Sequence, residues 1–286
     1  FTLIHSPKSG SPYPWTGIFF GLTMVLSPAY YIGSQAIVQR SLAAKDEWHA
    51  KAGVLWGAVL KTLIPILVVI PGLVAVGLFP GVADGDRIYM IMIKNLLPPG
   101  LLGLVVAAFF AALMSTVASS MHSAATIWSK DIFEKFIKKN ASDRYYLNAG
   151  RIFTGILFLL AVVSAPLSAQ FPGIYVYVQT LNSFFQGPVF AVLLLGMFWK
   201  RTTPWGAFYG LIGGILMAAG MFIFKAALFT LQDPFFYISW WSFVGAMLLT
   251  VGISFFTRPV DDDKLKGLVY RFKGAAETES SSTPGS

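Results

Sequence analysis

The sequence predicts an all-α integral membrane protein with about seven transmembrane helices, on three observations. Only 12% of its 286 residues are charged, half the share of about 25% that a soluble domain carries, and its mean hydropathy is +0.67. Seven apolar stretches each match or exceed the roughly 20 residues that a helix needs to cross a bilayer. The basic residues fall in alternate junctions between those stretches instead of gathering on one surface. Segments this long cannot leave backbone groups unpaired in hydrocarbon, so helix is the expected state.

The spans are placed near 15–38, 52–79, 99–127, 149–170, 174–198, 205–230 and 235–257. A loop precedes them over 1–14, and a tail follows over 258–286. Sixteen of the 21 Lys and Arg residues follow the first, third, fifth and seventh spans, from Arg40 through the Lys130–Arg151 group to Lys273. The other junctions hold Lys8, Arg87 and Lys94, while Lys61 and Lys225 lie within spans. The positive-inside rule puts the start outside and the tail in the cytoplasm. The segment from Asp261 to Gly274 reads either as a short interfacial helix or as a solvated tail. The closing GAAETESSSTPGS is polar and of low complexity, as disordered termini are. The chain starts at Phe1, without a signal-peptide layout, and is read as a portion of a longer protein.

Several function classes are excluded or disfavoured. There is no cysteine, hence no disulfide framework or thiolate metal site, and His5, His49 and His122 lack ligand spacing. The net charge of +8 is spread over membrane flanks, so no nucleic-acid partner is expected. No catalytic constellation is evident, and an enzyme is not expected.

Polar groups inside spans are the candidate site. Lys61 lies ten residues beyond Lys51, about 15 Å along a helix, too deep to reach the interface easily. It needs a polar cavity or an ion partner. Lys225 lies near the outer end of its span, where snorkelling suffices. The first span carries Pro28 and Gly33 within Ser27–Ser34, a pattern that suits a broken helix as well as a plain kink. On the third span the Ala112 carbonyl and the Ser115 and Thr116 hydroxyls share a face. Spacing alone leaves them open as cation ligands or as small residues for tight packing. Gln179, Asn182 and Gln186 form a polar stripe on the fifth span that suits either helix adhesion or a hydroxyl-rich ligand.

The run from Tyr30 to Lys45 (YYIGSQAIVQRSLAAK) resembles the sixth core helix of the sodium/solute symporter family, in particular its sodium/glucose cotransporter branch. AALMSTVASSMHSAATIWSKDIF over 111–133 is similar to that family's eighth core helix, and VLLLGMFWKRTTPWGA over 192–207 to the exit of its tenth. The resemblance implies a LeuT-type inverted-repeat fold, of which this chain holds the second repeat and two peripheral helices. It implies sodium at Ala112, Ser115 and Thr116, and solute contacts from Lys61, Gln179, Tyr30, Ser27 and Ser34, with Tyr30 as an inner gate. Departures from the branch stand at Tyr31, where Trp is usual, at Ser34, where Asn or an acid is found, and at Ser27, where a bacterial relative has Asn. The implied function is sodium-coupled uptake of a sugar or related polyhydroxylated solute by alternating access. An amino acid, polyol or carboxylate cargo is the alternative, and a solute-binding membrane sensor is another. The implied partners are the bilayer, a small solute, and an N-terminal first repeat. The expected location is a cell membrane, bacterial inner membrane in kind.

Overall fold

The computed structural model describes residues 4–7, 9, 11–82, 85–231, 233–261, 265 and 269. The segment read as an interfacial helix and the polar tail lie almost wholly outside them. Among the described residues every regular element is helical, and a lone bridge joins His5 to Pro14.

Seven helices are long and apolar enough to span: α1 Trp15–Gly33, α3 Glu47–Leu78, α5 Pro99–Ile137, α6 Asp143–Gln170, α7 Ile174–Phe198, α8 Pro204–Ile223 and α10 Phe235–Phe256. Shorter ones lie between them: α2 Gln35–Leu42, α4 Gly85–Leu96 and α9 Lys225–Leu228. The chain falls into two compact units, one of Phe1–Ser34 with Val178–Ser286 and the other of Gln35–Tyr177.

Helix ends depart from the hydropathy boundaries because local caps set them. Asp46 starts α3, its carboxylate accepting the His49 N–H at 2.8 Å, which fills an orphan donor of the first turn. The carboxyl is thereby held below its ordinary pKa, chiefly by that backbone N–H. Ser142 precedes α6, with Asp143 in its first turn, where an anion suits the helix dipole. Hence α6 takes in Arg144 and Arg151, and α5 runs to Ile137 through a wider, π-helical last stretch over Trp128–Ile137. Both charged segments, read as loop from the sequence, are helix. Asn140 turns the chain between them at φ 57°, a left-handed backbone that asparagine tolerates well.

The first span is the main revision. Its helix does not break at Pro28. The stretch Ile18–Leu26 winds with π-type spacing, and the Ser27 N–H reaches back five residues to the Leu22 carbonyl. That wider winding absorbs a proline that lacks an N–H and crowds the preceding turn. The break comes at Ser34, which is extended at φ −82°, ψ 111°, and helix resumes as α2.

In the first unit, α8 and α10 pack along small residues. Gly206, Gly210, Gly214 and Ala218 recur every fourth residue and are buried on α8; Ser242, Ala246, Thr250 and Ser254 do the same on α10. This small-residue seam lets backbones approach closely, which is how helices associate when lipid offers no hydrophobic drive. A Cβ on Gly214 would sit 2.7 Å from the Ala246 Cβ and 2.9 Å from Pro188. Against this pair, α1 lays Gly17 and Gly21 on Phe236. Val25 and Ala29 join Phe190, Ala191, Phe243 and Ala246 in the buried core. Thr203 caps α8, its Oγ1 accepting the Gly206 N–H at 3.1 Å.

The eighth helix ends at Ile223, short of the expected 230, because Phe224 leaves the helical region. Lys225 then forms an ion pair with Asp233 at 3.3 Å and lies 5.2 Å from the Phe222 ring centroid. Its charge is met within the protein, where snorkelling alone was expected.

In the second unit, α5 and α6 are held by the stacked Trp128 and Phe153 rings, 4.4 Å apart, and by Ser129 against Gly150. The Asp86 carboxylate accepts the Ile174 N–H at 2.9 Å, so the acidic residue in the first turn of α4 caps the start of α7. The apolar faces of α3, α5 and α6 are otherwise largely uncovered, as lipid-facing or partner-facing surface would be.

Candidate functional site

On α5, Ala112, Ser115 and Thr116 lie on one exposed face within a single turn. The Thr116 hydroxyl donates to the Ala112 carbonyl at 3.0 Å. Because the hydrogen points at the carbonyl, the Thr116 Oγ1 lone pairs face outward, while both lone pairs of the carbonyl are engaged within the helix. Ser115 sets a second hydroxyl oxygen beside the first, one residue away. Oxygen donors of this kind suit an alkali cation that must be released again. Among the described residues no group of three or more His, Cys, Asp or Glu gathers to hold a metal.

Lys61 lies in the middle of α3, fourteen residues after Glu47 and four before Pro65. Its side chain is exposed within this chain, on a helix whose neighbours at Leu60, Leu63 and Ile64 are about half exposed and apolar. An ammonium at this depth demands polar surroundings.

In the first unit, Ser27 and Tyr30 lie on the last turns of α1, and Ser34 is the residue at its break. Tyr30 and Tyr31 meet edge to face with centroids 5.8 Å apart. A Cβ on Gly33 would lie 3.6 Å from Val189 and 3.7 Å from Leu193, so this end of α1 is level with the second half of α7. Gln179 is ten residues nearer the start of α7 than Val189, about 15 Å of helix. Its Oε1 accepts the Asn182 Nδ2–H at 3.2 Å, so two members of the polar stripe are already paired. The structure therefore brings Ser27, Tyr30 and Ser34 together. Gln179 stands well along the axis from them.

The sequence reading missed two features beside these residues. The widened winding of Ile18–Leu26 immediately precedes Ser27, and Pro28 is its only written sign. The Asp86 cap on Ile174 joins residues 88 apart, and nothing in local sequence announces such a pair.

With this geometry in hand, comparison with known proteins is decisive. The model of the sodium:solute symporter family matches residues 3–214. The chain belongs to that family. Human sodium/myo-inositol cotransporter 2 is 38% identical over 236 residues, covering 76% of this chain and 34% of the relative. Sodium/glucose cotransporter 4 of Mus musculus is 31% identical across 98% of this chain and 45% of its own length. Sodium/glucose cotransporter 1 of Ovis aries is 32% identical, with 97% and 46% covered. The chain thus spans between a third and a half of the length of these relatives, which are cotransporters and not enzymes. A Na+-coupled sialic acid symporter solved in a substrate-bound outward-open state superposes with a TM-score of 0.68 at 21% identity, over 88% of this chain and 54% of its own. That likeness establishes the LeuT-type fold.

Proposed function

We propose that this chain supplies the second repeat of a sodium-coupled symporter for a polyhydroxylated solute, a sugar or cyclitol. The carrying observation is the Thr116 hydroxyl locked onto the Ala112 carbonyl on an exposed face of α5. It turns the Thr116 hydroxyl oxygen outward beside that of Ser115, on a helix otherwise built for lipid or protein. In this reading Ala112, Ser115 and Thr116 take one side of the sodium shell, and a first repeat takes the other. Lys61 and Gln179 hydrogen-bond solute hydroxyls, while Ser27 and Ser34 add short polar contacts near the break in α1. Tyr30 closes the cytoplasmic exit. Support comes from the inositol and glucose cotransporters among the relatives.

Coupling needs no covalent chemistry. Inward sodium movement supplies about 2.3 kcal/mol per charge per 100 mV, plus its concentration term. Alternating access would expose the midplane site to each face in turn. In this reading the tail is cytoplasmic, which the basic junctions support, and the whole lies in a cell membrane. The first repeat is the partner that the uncovered faces of α3 and α5 would meet.

The test is uptake of labelled glucose and myo-inositol by the complete protein in proteoliposomes, with an inward sodium gradient and with potassium in its place. Sodium-dependent uptake that falls in Lys61→Ala and in Thr116→Ala is the expected result. Sodium-driven uptake of lactate or proline alone would replace the cargo. Solute binding with no flux under any gradient would favour a sensor.

A further inference from the structure

The end of α5 and the start of α6 enclose a cleft of about 360 Å³ that the proposed transport site does not use. Its lining is of two kinds. Leu147, Ala125 and the buried Tyr146 ring form an apolar wall, whereas Lys130, Arg151, His122 and Asp143 bring charge or titratable nitrogen to it. Its threonine hydroxyls are spoken for: Thr126 donates to the His122 carbonyl at 2.8 Å and Thr154 to the Gly150 carbonyl at 2.9 Å. Tyr146 donates to the Lys138 carbonyl and accepts the Ala141 N–H, both at 2.9 Å, which anchors the wall to the turn between the helices.

Position narrows the occupant. Lys130, on the lining, begins a stretch of sequence that also holds Lys135, Lys138, Lys139 and Arg144, a density of charge that belongs at the membrane–water boundary. From there the cleft runs inward to His122, eight residues or about 12 Å deeper along α5. A ligand that fits must be apolar at one end and carry both signs at the other. Arg151 and Lys130 are suited to a phosphodiester, the first in forked geometry. Lys130 also pairs with Glu134 at 3.1 Å, and Asp143 lies on the same lining, so the mouth repels a bare anion but welcomes a neighbouring ammonium. We infer that this cleft binds one phospholipid with an ethanolamine headgroup, its phosphate on Arg151 and Lys130, its amine on Asp143, and a chain along Leu147. Such a lipid would wedge the α5–α6 corner at the cytoplasmic face.

The complete protein, purified and stripped of lipid in detergent, is titrated with dioleoyl phosphatidylethanolamine, phosphatidylglycerol or phosphatidylcholine and examined by native mass spectrometry. One ethanolamine lipid should be retained at least about fivefold better than the other two. Arg151→Ala should abolish the preference, and Arg144→Ala, outside the cleft, should not. Asp143→Asn should remove the advantage of ethanolamine over glycerol while sparing phospholipid retention, which also serves if Arg151→Ala fails to fold. Equal retention in Arg151→Ala and Arg144→Ala overturns the site. Preference for the glycerol lipid overturns the headgroup, and displacement of lipid by 10 mM inorganic phosphate overturns the lipid in favour of a free phosphate.

Discussion

Gly214→Ala tests the seam between α8 and α10 with a single methyl group. That methyl would meet the Ala246 Cβ at 2.7 Å and the Pro188 Cβ and Cγ at 2.9 Å, all on fully or nearly fully buried residues. Neither neighbour can rotate away, because alanine has no rotamer and the proline ring is closed. Overpacking of this sort costs about 1–3 kcal/mol, and helix propensity returns up to about 1 kcal/mol for Gly to Ala. The net expectation is destabilisation of about 1–2 kcal/mol. Two controls bracket it. Gly252→Ala on α10 meets nothing within 4 Å and should be neutral or mildly stabilising. Gly245→Ala meets the sulfur of Met217, a flexible tip that can swing aside. Removing one of the two obstacles in Gly214→Ala/Ala246→Gly should recover about half of the loss, a coupling that a double-mutant cycle isolates. The assay is the thermal midpoint of the detergent-solubilised protein by fluorescence-detected size exclusion. A Gly214→Ala midpoint at or above that of Gly252→Ala would refute the seam.

Thr203→Ala removes the acceptor for the Gly206 N–H and the 2.6 Å contact with Thr257; it should cost about 1–2 kcal/mol in the same melt, and Thr203→Ser should restore most of it. Thr116→Val keeps the shape and deletes the hydroxyl, so the sodium concentration for half-maximal uptake should rise about tenfold or more with little change in thermal midpoint. Lys61→Met should abolish solute uptake while leaving sodium-induced protection of α5 in hydrogen exchange unchanged, which separates the two halves of the proposed site. Asp46 has a folded pKa depressed from about 3.8, so its support of the α3 start is present above that value and disappears as pH falls through the lower folded one. Exchange at His49 in Asp46→Ala should therefore exceed the parent's at neutral pH and match it in strong acid.

The spans were readable because lipid imposes length and hydropathy on each of them. Where they stop was less readable, since the Asp46 carboxylate and the backbone turns at Ser142 and Phe224 act locally, in ways that hydropathy ignores. Lys225 illustrates a second limit: its ion pair depends on Asp233 folding back after α9, a tertiary fact. The every-fourth-residue glycines of α8 and small residues of α10 are written plainly in the sequence, but not which helix meets which, or in what register. Ala112, Ser115 and Thr116 were recognisable by family likeness, and only the structure shows the Thr116 hydroxyl turned onto the Ala112 carbonyl. Gln179 and Asn182 read as one polar stripe from spacing, and only the structure shows the first accepting a hydrogen bond from the second.

The glycine seam of α8 and α10 also offers a built-in ruler. Two backbones this close cannot slide by half a turn without driving Thr250 or Ser254 into a Cα. Spin labels on their outward faces, for example at Leu216 and Leu248, both exposed, should therefore give one narrow distance distribution in sodium, in potassium and with solute. A reporter pair of fixed length calibrates every other pair in the same molecule, so displacements measured elsewhere can be read as motion against a known frame.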